Sequence, residues 1–230
     1  MAFPDFAPDY EHVALCHSDE YPMNEGRVVS SKGLDIQMEA FEAHFIEEHV
    51  AHSNALHARL ANGGSYQVGP LARVNLNLGR LSPKAKEAMR KSGLEFPNNN
   101  PFLSIVARSL ELVHVFEESL WLIDAYEEPV PSRMPVSPLG GEGGYVTEAP
   151  RGMLYHRYVL DEQGLIKEAR IIPPTSQNLR RMEDDLPAYV TEVIDLPLEE
   201  ATWRCEQIIR NYDPCISCAT HFLRLSVKHA

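Results

Sequence analysis

The feature that most constrains the fold is the segment "NPFLSIVARSLELVHVFEESLWLIDAYEEP" (residues 100–129), which is typical of one long helix ended by Pro129. A proline inside a helix removes a hydrogen bond and clashes with the preceding turn, so the helix must stop before it. Apolar residues leave little polar face along its first half, which predicts a helix at the centre of the fold. A chain of 230 residues is long enough for one sizeable core.

The flanking segments add helices and one hairpin. Residues 36–57 place Met38, Phe41 and Phe45 on one helical face, which predicts a helix there. Ser82, Pro83 and Gly93 are the N-cap, first position and end of a short helix. Two strands are expected around the turn at residues 161–164, after a Pro/Gly-rich loop at residues 127–152.

Two further helices are predicted over residues 176–212, and the second has an apolar stripe made of Leu198, Ala201, Cys205, Ile208 and Ile209. The expected fold is therefore a single α+β domain over residues 1–230, mostly helical with a small β-hairpin or sheet.

Composition excludes several functions. The formal net charge is −12 and no basic patch is interleaved with aromatics, which argues against nucleic-acid binding. No run approaches 18 consecutive apolar residues, so no membrane span is expected. The N-terminal residues lack the pattern of a secretory signal, which predicts a cytoplasmic location. Four cysteines are too few for a disulfide scaffold and are better read as reduced thiols or metal ligands.

The segment "DPCISCATH" (residues 213–221) concentrates metal-binding chemistry. Asp213 and Pro214 form a helix-start signal, which would place Cys215 and Cys218 one turn apart near the positive end of the helix dipole, with His221 a turn further on. Four interpretations remain open on the residues alone. They are half of a structural zinc site completed by Cys16 or Cys205, a redox pair that lacks its usual βαβ setting, two ordinary cysteines, or a less common metal centre.

Neighbouring motifs favour the metal centre. In chain order, "YPMNEGRVVSSKGLDI", "YQVGPLARVNLN", "EAPRGMLYHRY", "IIPPTSQN" and "DPCISCATH" resemble motifs of nickel–iron hydrogenase large subunits, especially the cytoplasmic, nicotinamide-linked branch. The likeness runs over essentially the whole chain. One departure is large, because the family's first Cys-x-x-Cys, usually within Arg-x-Cys-Gly-x-Cys, has no counterpart here. The chain therefore resembles the C-terminal half of such a subunit.

The resemblance implies a nickel–iron centre held by four thiolates, with Cys215 as a terminal nickel ligand and Cys218 as a ligand that bridges to iron. Iron would carry cyanide and carbon monoxide. His221 would bind a separate structural magnesium or iron ion.

The same resemblance assigns the surroundings of the metals. Arg151 and Thr175 would donate hydrogen bonds to the cyanides, and Pro150 and Pro174 would shape the walls of the pocket. Arg151 would also lie over the open face of the metals, held by Asp213. A helix N-cap is the alternative role for both Thr175 and Asp213, and a surface arginine is the alternative for Arg151.

The implied activity is the reversible oxidation of hydrogen to protons and electrons. The implied partners are an iron–sulfur small subunit, a polypeptide that supplies the N-terminal half, nicotinamide-reducing subunits, and a maturation protease that cuts between His221 and Phe222. Two alternatives belong to other classes. They are a metal-free interaction subunit related to the large-subunit homologue in respiratory complex I, and a zinc-stabilised binding module.

Several other residues invite a functional interpretation. His44, His49, His52 and His57 do not keep to one helical face, and we interpret them as a partly exposed helix surface rather than a metal site. Glu142 and Glu148 are candidates for proton relay. Cys16 and Cys205 are expected to be small packing residues.

Overall fold

The computed structural model describes residues 3–137 and 139–215. Within these ranges the fold combines six α-helices with three small antiparallel sheets. The first sheet contains β1 (Val13–Cys16), β2 (Arg27–Ser30) and β3 (Asp35–Ile36), in that order. A short helix, α1 (Phe41–His44), leads into the hairpin of β4 (Phe45–His49) and β5 (Leu56–Leu60). The α+β prediction is confirmed.

Three helices form the middle of the chain. They are α2 (Pro70–Asn77), α3 (Pro83–Ser92) and α4 (Ser104–Asp124). The predicted boundaries of α3 are confirmed, because Ser82 caps its first turn through the Ala85 N–H and Gly93 ends it with a left-handed backbone at φ +69°. Leu71, Val74, Ala85, Leu103 and Ala107 from these helices and their flanks meet in one buried cluster.

The third sheet follows as β6 (Gly141–Ala149), β7 (Gly152–Leu160) and β8 (Ile166–Ile172), paired in that order. Its β7–β8 hairpin has the predicted turn. The chain then forms α5 (Pro174–Val193) and α6 (Leu198–Arg210), which pack on each other through Tyr189, Val193, Ala201, Cys205 and Ile208. The predicted stripe of α6 is buried at Ala201, Cys205 and Ile208, partly buried at Ile209 and exposed at Leu198.

The helix predicted over residues 36–57 is wrong beyond His44. Phe45 pairs with Leu60 and Glu48 with His57, so this segment is half of an antiparallel hairpin. Phe41 and Phe45 are buried in both arrangements, and their rings stack 4.4 Å apart between centroids. Pairing with the strand β5 favours the hairpin over the helix, and helical periodicity within the segment carries no information about that strand.

The loop predicted over residues 127–152 is also wrong in part, because β6 occupies its C-terminal section. Glycines at 141, 143 and 144 have low strand propensity, yet the strand pairs with β7 along its whole length, from Gly141 opposite Leu160 to Ala149 opposite Gly152. Hydrogen bonds to β7 override the local preference.

Helix α4 lies at the surface rather than at the centre, contrary to prediction. Its buried face carries Ser104, Ala107, Leu110, Glu111 and His114. Its opposite face exposes large apolar side chains, namely Ile105, Leu112, Phe116, Leu120 and Ile123, at 53 to 70% of their surface. The apolar residues therefore point away from the core of the described structure.

Candidate metal centre

Arg151 is held in the tight turn between β6 and β7. The adjoining Gly152 has φ +133°, and a Cβ there would lie 2.5 Å from Val68 Cγ2. On the facing segment, a Cβ at Gly69 would lie 2.8 Å from the carbonyl oxygen of Arg151. Only glycine permits this close approach, so the segment before α2 presses directly on the turn that carries Arg151.

A buried arginine, Arg73, fixes the same turn through hydrogen bonds. Arg73 on α2 donates from Nη1 to the carbonyl of Ala149 at 2.8 Å and from Nη2 to the carbonyl of Pro150 at 3.0 Å. The same guanidinium binds Glu111 through two bonds of 2.6 and 2.8 Å, and Glu148 at 2.9 Å. Fixing two consecutive carbonyls sets the direction in which the chain enters Arg151.

The charges in this network are almost completely excluded from water. Side-chain exposure is 3% for Arg73, 8% for Glu111 and 0% for Glu148. Burial raises the pKa of the Glu148 carboxyl, although Arg73 and the Leu15 N–H oppose the shift. Tyr21 donates to Glu111 at 2.7 Å, and burial raises the pKa of its hydroxyl well above the usual value. Sequence reasoning missed Arg73, Glu111 and Tyr21. The sequence signal for Arg73 and Glu111 was that each is a charged residue among the apolar positions of its helix, α2 or α4.

The structure brings Arg151 and Asp213 together, as predicted. Arg151 Nε donates to the backbone carbonyl of Asp213 at 2.6 Å, and Nε lies 3.3 Å from the carboxylate oxygen Oδ2. Arg108 on α4, which the sequence did not indicate, lies 3.7 Å from the same oxygen. Asp213 therefore stands between two guanidinium groups.

The backbone of Asp213 differs from that of an N-cap. Its φ is +51°, in the left-handed region, whereas an N-cap residue is normally extended. Aspartate tolerates the left-handed region better than most residues. The preceding Tyr212 is buried and donates to Asp185, which also accepts from Tyr10. Burial raises the pKa of the Tyr212 hydroxyl, so it remains a donor.

Thr175 and Cys215 also meet. The Cys215 N–H donates to Thr175 Oγ1 at 3.3 Å, and Thr175 is 3% exposed. Thr175 lies inside the first turn of α5, after Pro174, while Pro173 is the N-cap and makes no side-chain cap. The capping alternative for Thr175 is therefore wrong. Pro174 is buried beside it, whereas Pro150 is exposed.

The remaining predicted ligands, Cys218 and His221, lie outside the described residues, as does the helix predicted after Pro214 beyond residue 215. The described groups fit a thiolate metal centre with anionic ligands. Cys215 supplies a soft donor, and Arg151 and the hydroxyl of Thr175 supply hydrogen-bond donors suited to anions.

The other candidates have ordinary surroundings or different roles. Glu142 is exposed and paired with Arg157 at 2.6 Å. Six residues along β6 separate it from Glu148, which is about 20 Å in a strand. Cys205 is fully buried among apolar side chains, in agreement with the packing prediction. Cys16 is partly buried, and burial raises the pKa of its thiol to about 11.

Comparison with known proteins identifies the class. The family model for nickel-dependent hydrogenase matches residues 46–221, and the chain belongs to this family. Sulfhydrogenase 1 subunit alpha of Pyrococcus furiosus is 32% identical over 217 residues, which are 93% of this chain and 50% of that protein. NAD-reducing hydrogenase HoxS subunit beta of Cupriavidus necator is 34% identical over 169 residues, which are 70% of this chain and 35% of that protein.

Solved structures agree on the fold. An NAD⁺-reducing [NiFe]-hydrogenase in the H₂-reduced state superimposes with a TM-score of 0.75 and 26% identity, covering 94% of this chain and 51% of that one. The chain thus spans about half the length of the relatives it matches. No helix among the residues described is both long enough and apolar enough to cross a membrane.

Proposed function

We propose that this chain is part of the catalytic subunit of a nickel–iron hydrogenase and contributes Cys215 and Cys218, two of four thiolates, to the metal centre. When bound, that centre supplies the chemistry of reversible hydrogen oxidation. The observation that carries the proposal is the meeting of Arg151, Asp213, Thr175 and Cys215 from three distant parts of the chain. A cytoplasmic location belongs to the same proposal and rests on the likeness to the nicotinamide-linked branch.

The chain's own residues provide a preorganised polar environment. Asp213 fixes the side chain of Arg151 and Arg73 fixes its turn, so the planar guanidinium is held in place as a fork of hydrogen-bond donors. The Thr175 hydroxyl accepts from the Cys215 N–H, which leaves its own proton to donate to an anionic ligand such as cyanide. Donors that are fixed before the reaction cost no reorganisation during it.

Arg151→Lys tests this role in the assembled, metal-loaded enzyme. Lysine keeps the charge but lacks the planar fork, so the rate of hydrogen oxidation should fall by about 10² to 10³ with nickel and iron content unchanged. The infrared bands of the cyanides should also shift, because a hydrogen bond to them is lost. Arg27→Lys is a matched control, since Arg27 and Arg151 are 42% and 41% exposed and each contacts one aspartate. Unaltered turnover in Arg151→Lys would leave Arg151 as a packing residue.

A second polypeptide, which supplies the half of the relatives that this chain does not cover, is part of the proposal. The exposed apolar face of α4, defined by Ile105, Leu112, Phe116, Leu120 and Ile123, supports it. These residues are spaced by 7, 4, 4 and 3 positions and so form one continuous stripe. Monomeric proteins rarely leave such a large apolar patch in water.

Phe116→Ser with Ile123→Ser tests the docking face. The double variant should lose co-purification with a polypeptide that carries the second Cys-x-x-Cys. Leu165→Ser with Ile166→Ser is the control, because these residues are similarly exposed, at 66 and 62%, on the β7–β8 hairpin. Equal recovery of the partner by both double variants would show that α4 is not the contact.

The polypeptide of 230 residues alone should not oxidise hydrogen, because it supplies half of the sulfur ligands. Dye reduction by the purified chain would contradict this, and activity restored by the second polypeptide would support it. An iron–sulfur subunit would carry electrons away, as this chain has too few cysteines for clusters, and nicotinamide-reducing subunits would follow.

Metal analysis of the assembled protein separates the alternatives. Nickel with iron supports the hydrogenase, the absence of any metal that depends on Cys215 and Cys218 supports the interaction subunit, and zinc that is lost in Cys215→Ser/Cys218→Ser supports the binding module. A structural magnesium or iron ion at His221 is also proposed.

Removal of the segment after His221 completes the proposal. A maturation protease would cut between His221 and Phe222 once nickel is in place and release "FLRLSVKHA". The intact mass of the chain in active, nickel-loaded enzyme decides the matter. A mass that ends at His221 supports processing, and a mass that ends at Ala230 refutes it.

A further inference from the structure

A second group of metal-ligating side chains lies outside the centre described above. His52 is in the turn between β4 and β5, His57 is on β5, and Glu183 is on α5. One ligand atom from each lies within 4.8 Å of the other two. We propose that His52, His57 and Glu183 form a binding site for a divalent transition metal of the zinc type, which ties the β4–β5 hairpin to α5.

The distances suit such an ion. His52 Nε2 lies 2.5 Å from one Glu183 carboxylate oxygen, and His57 Nδ1 lies 3.6 Å from the other. Tetrahedral ligands at zinc bond lengths are separated by about 3.3 Å. His57 Nδ1 is already near this spacing from Glu183, whereas His52, which lies in an exposed turn, would move outward by about 1 Å to admit the ion. The histidine rings are 5.6 Å apart between centroids and almost perpendicular, at 88°, so the two imidazoles do not stack on each other.

The donor set and exposure indicate the kind of ion. Two imidazoles and one carboxylate are the three protein ligands of many open zinc sites, in which water takes the fourth position. His57 is 3% exposed and closes one side, whereas His52 is 62% and Glu183 is 45% exposed, so solvent reaches the other side. The nearby Arg180 would repel a cation, but Glu48 lies 3.6 Å from its guanidinium and offsets that charge.

The tertiary structure brings these three ligands together, and the local sequence pattern does not predict their proximity. The four histidines at positions 44 to 57 fail to share a helical face, and the segment from Phe45 onward is a hairpin instead of a helix. The hairpin leaves His52 and His57 on the side that meets α5. The third ligand then comes from a position 126 residues beyond His57.

The test uses the full chain without an affinity tag, in a Cys215→Ser/Cys218→Ser background that removes the predicted thiolate ligands. After chelator treatment, zinc is titrated by calorimetry, and cobalt is used as a spectroscopic probe of ligand geometry. One equivalent of zinc should bind. His52→Gln and Glu183→Gln should each weaken it at least tenfold and remove the tetrahedral cobalt spectrum. His49→Gln, an exposed histidine at the end of β4, should leave both unchanged.

Two results would overturn the assignment. One is no zinc binding by the Cys215→Ser/Cys218→Ser background. The other is binding that His52→Gln and His49→Gln alter equally. Far-ultraviolet circular dichroism of each variant separates loss of a ligand from loss of the fold, and the high exposure of His52 makes it the variant least coupled to folding.

Discussion

Arg73→Met should destabilise the chain strongly, because it removes a guanidinium that contacts both Glu111 and Glu148. Five hydrogen bonds are lost, and two carboxyl groups at most 8% exposed lose their cationic partner. Removal of one member of a buried ion pair typically costs about 3 to 5 kcal/mol. With a urea slope of about 2 to 3 kcal/mol per molar for a chain of this size, the midpoint should fall by roughly 1 to 2 M.

The loss of stability caused by Arg73→Met should depend on pH. Burial already holds the pKa of the Glu148 carboxyl above its usual range, and without Arg73 less opposes that shift. A carboxyl whose folded pKa is raised favours the folded state below its unfolded pKa and costs stability as pH rises through the folded value. The difference between wild type and Arg73→Met should therefore be larger at pH 8 than at pH 5.

Urea denaturation followed by circular dichroism at the two pH values measures both effects. The triple variant Arg73→Met/Glu111→Gln/Glu148→Gln should recover part of the loss, since neutral amides cost less to bury than unpaired charges. A midpoint shift below about 0.3 M, which corresponds to under about 1 kcal/mol, would refute the reasoning, as would a shift that grows toward low pH.

Three further measurements test local features. Gly152→Ala should lower the free energy of unfolding by more than about 1 kcal/mol, because φ is +133° and the new methyl would meet Val68; Gly79→Ala, with no atom within 4 Å of its Cβ, should not lower it. Ser82→Ala should cost about 1 kcal/mol through loss of the cap of α3, measured in the same way. Burial raises the pKa of Cys16 from 9.0 to about 11, so iodoacetamide should modify it about 100-fold more slowly in the native chain than in urea at pH 8, measured by mass spectrometry.

Local signals predicted the elements that depend on local chemistry. Ser82, Pro83 and Gly93 bounded α3 correctly, and the turn at residues 161–164 located the β7–β8 hairpin. The segments over 45–49 and 141–149 were missed because strands depend on partners far along the chain. The exposed face of α4 was missed for a related reason. Its apolar pattern was recognised, but periodicity does not show whether the covering surface belongs to the same chain.

At the site, motifs paired Arg151 with Asp213, and the structure agrees. Arg108 and Arg73 were not predicted, because their contacts depend on the tertiary structure and not on a local sequence motif. Arg108 reaches Asp213 across 105 positions of sequence, and Arg73 contacts backbone carbonyls that carry no side-chain signature.

The charged side chains of the site come from segments next to three separate hydrophobic clusters. Arg151 follows a strand of the first cluster, Arg108 extends from a helix of the second, and Asp213 follows the helix that completes the third. None of these clusters can align the three side chains alone. Arg151, Arg108 and Asp213 therefore come together only when all three clusters have packed, so the geometry of this small ion network reports on the folding of the whole described structure.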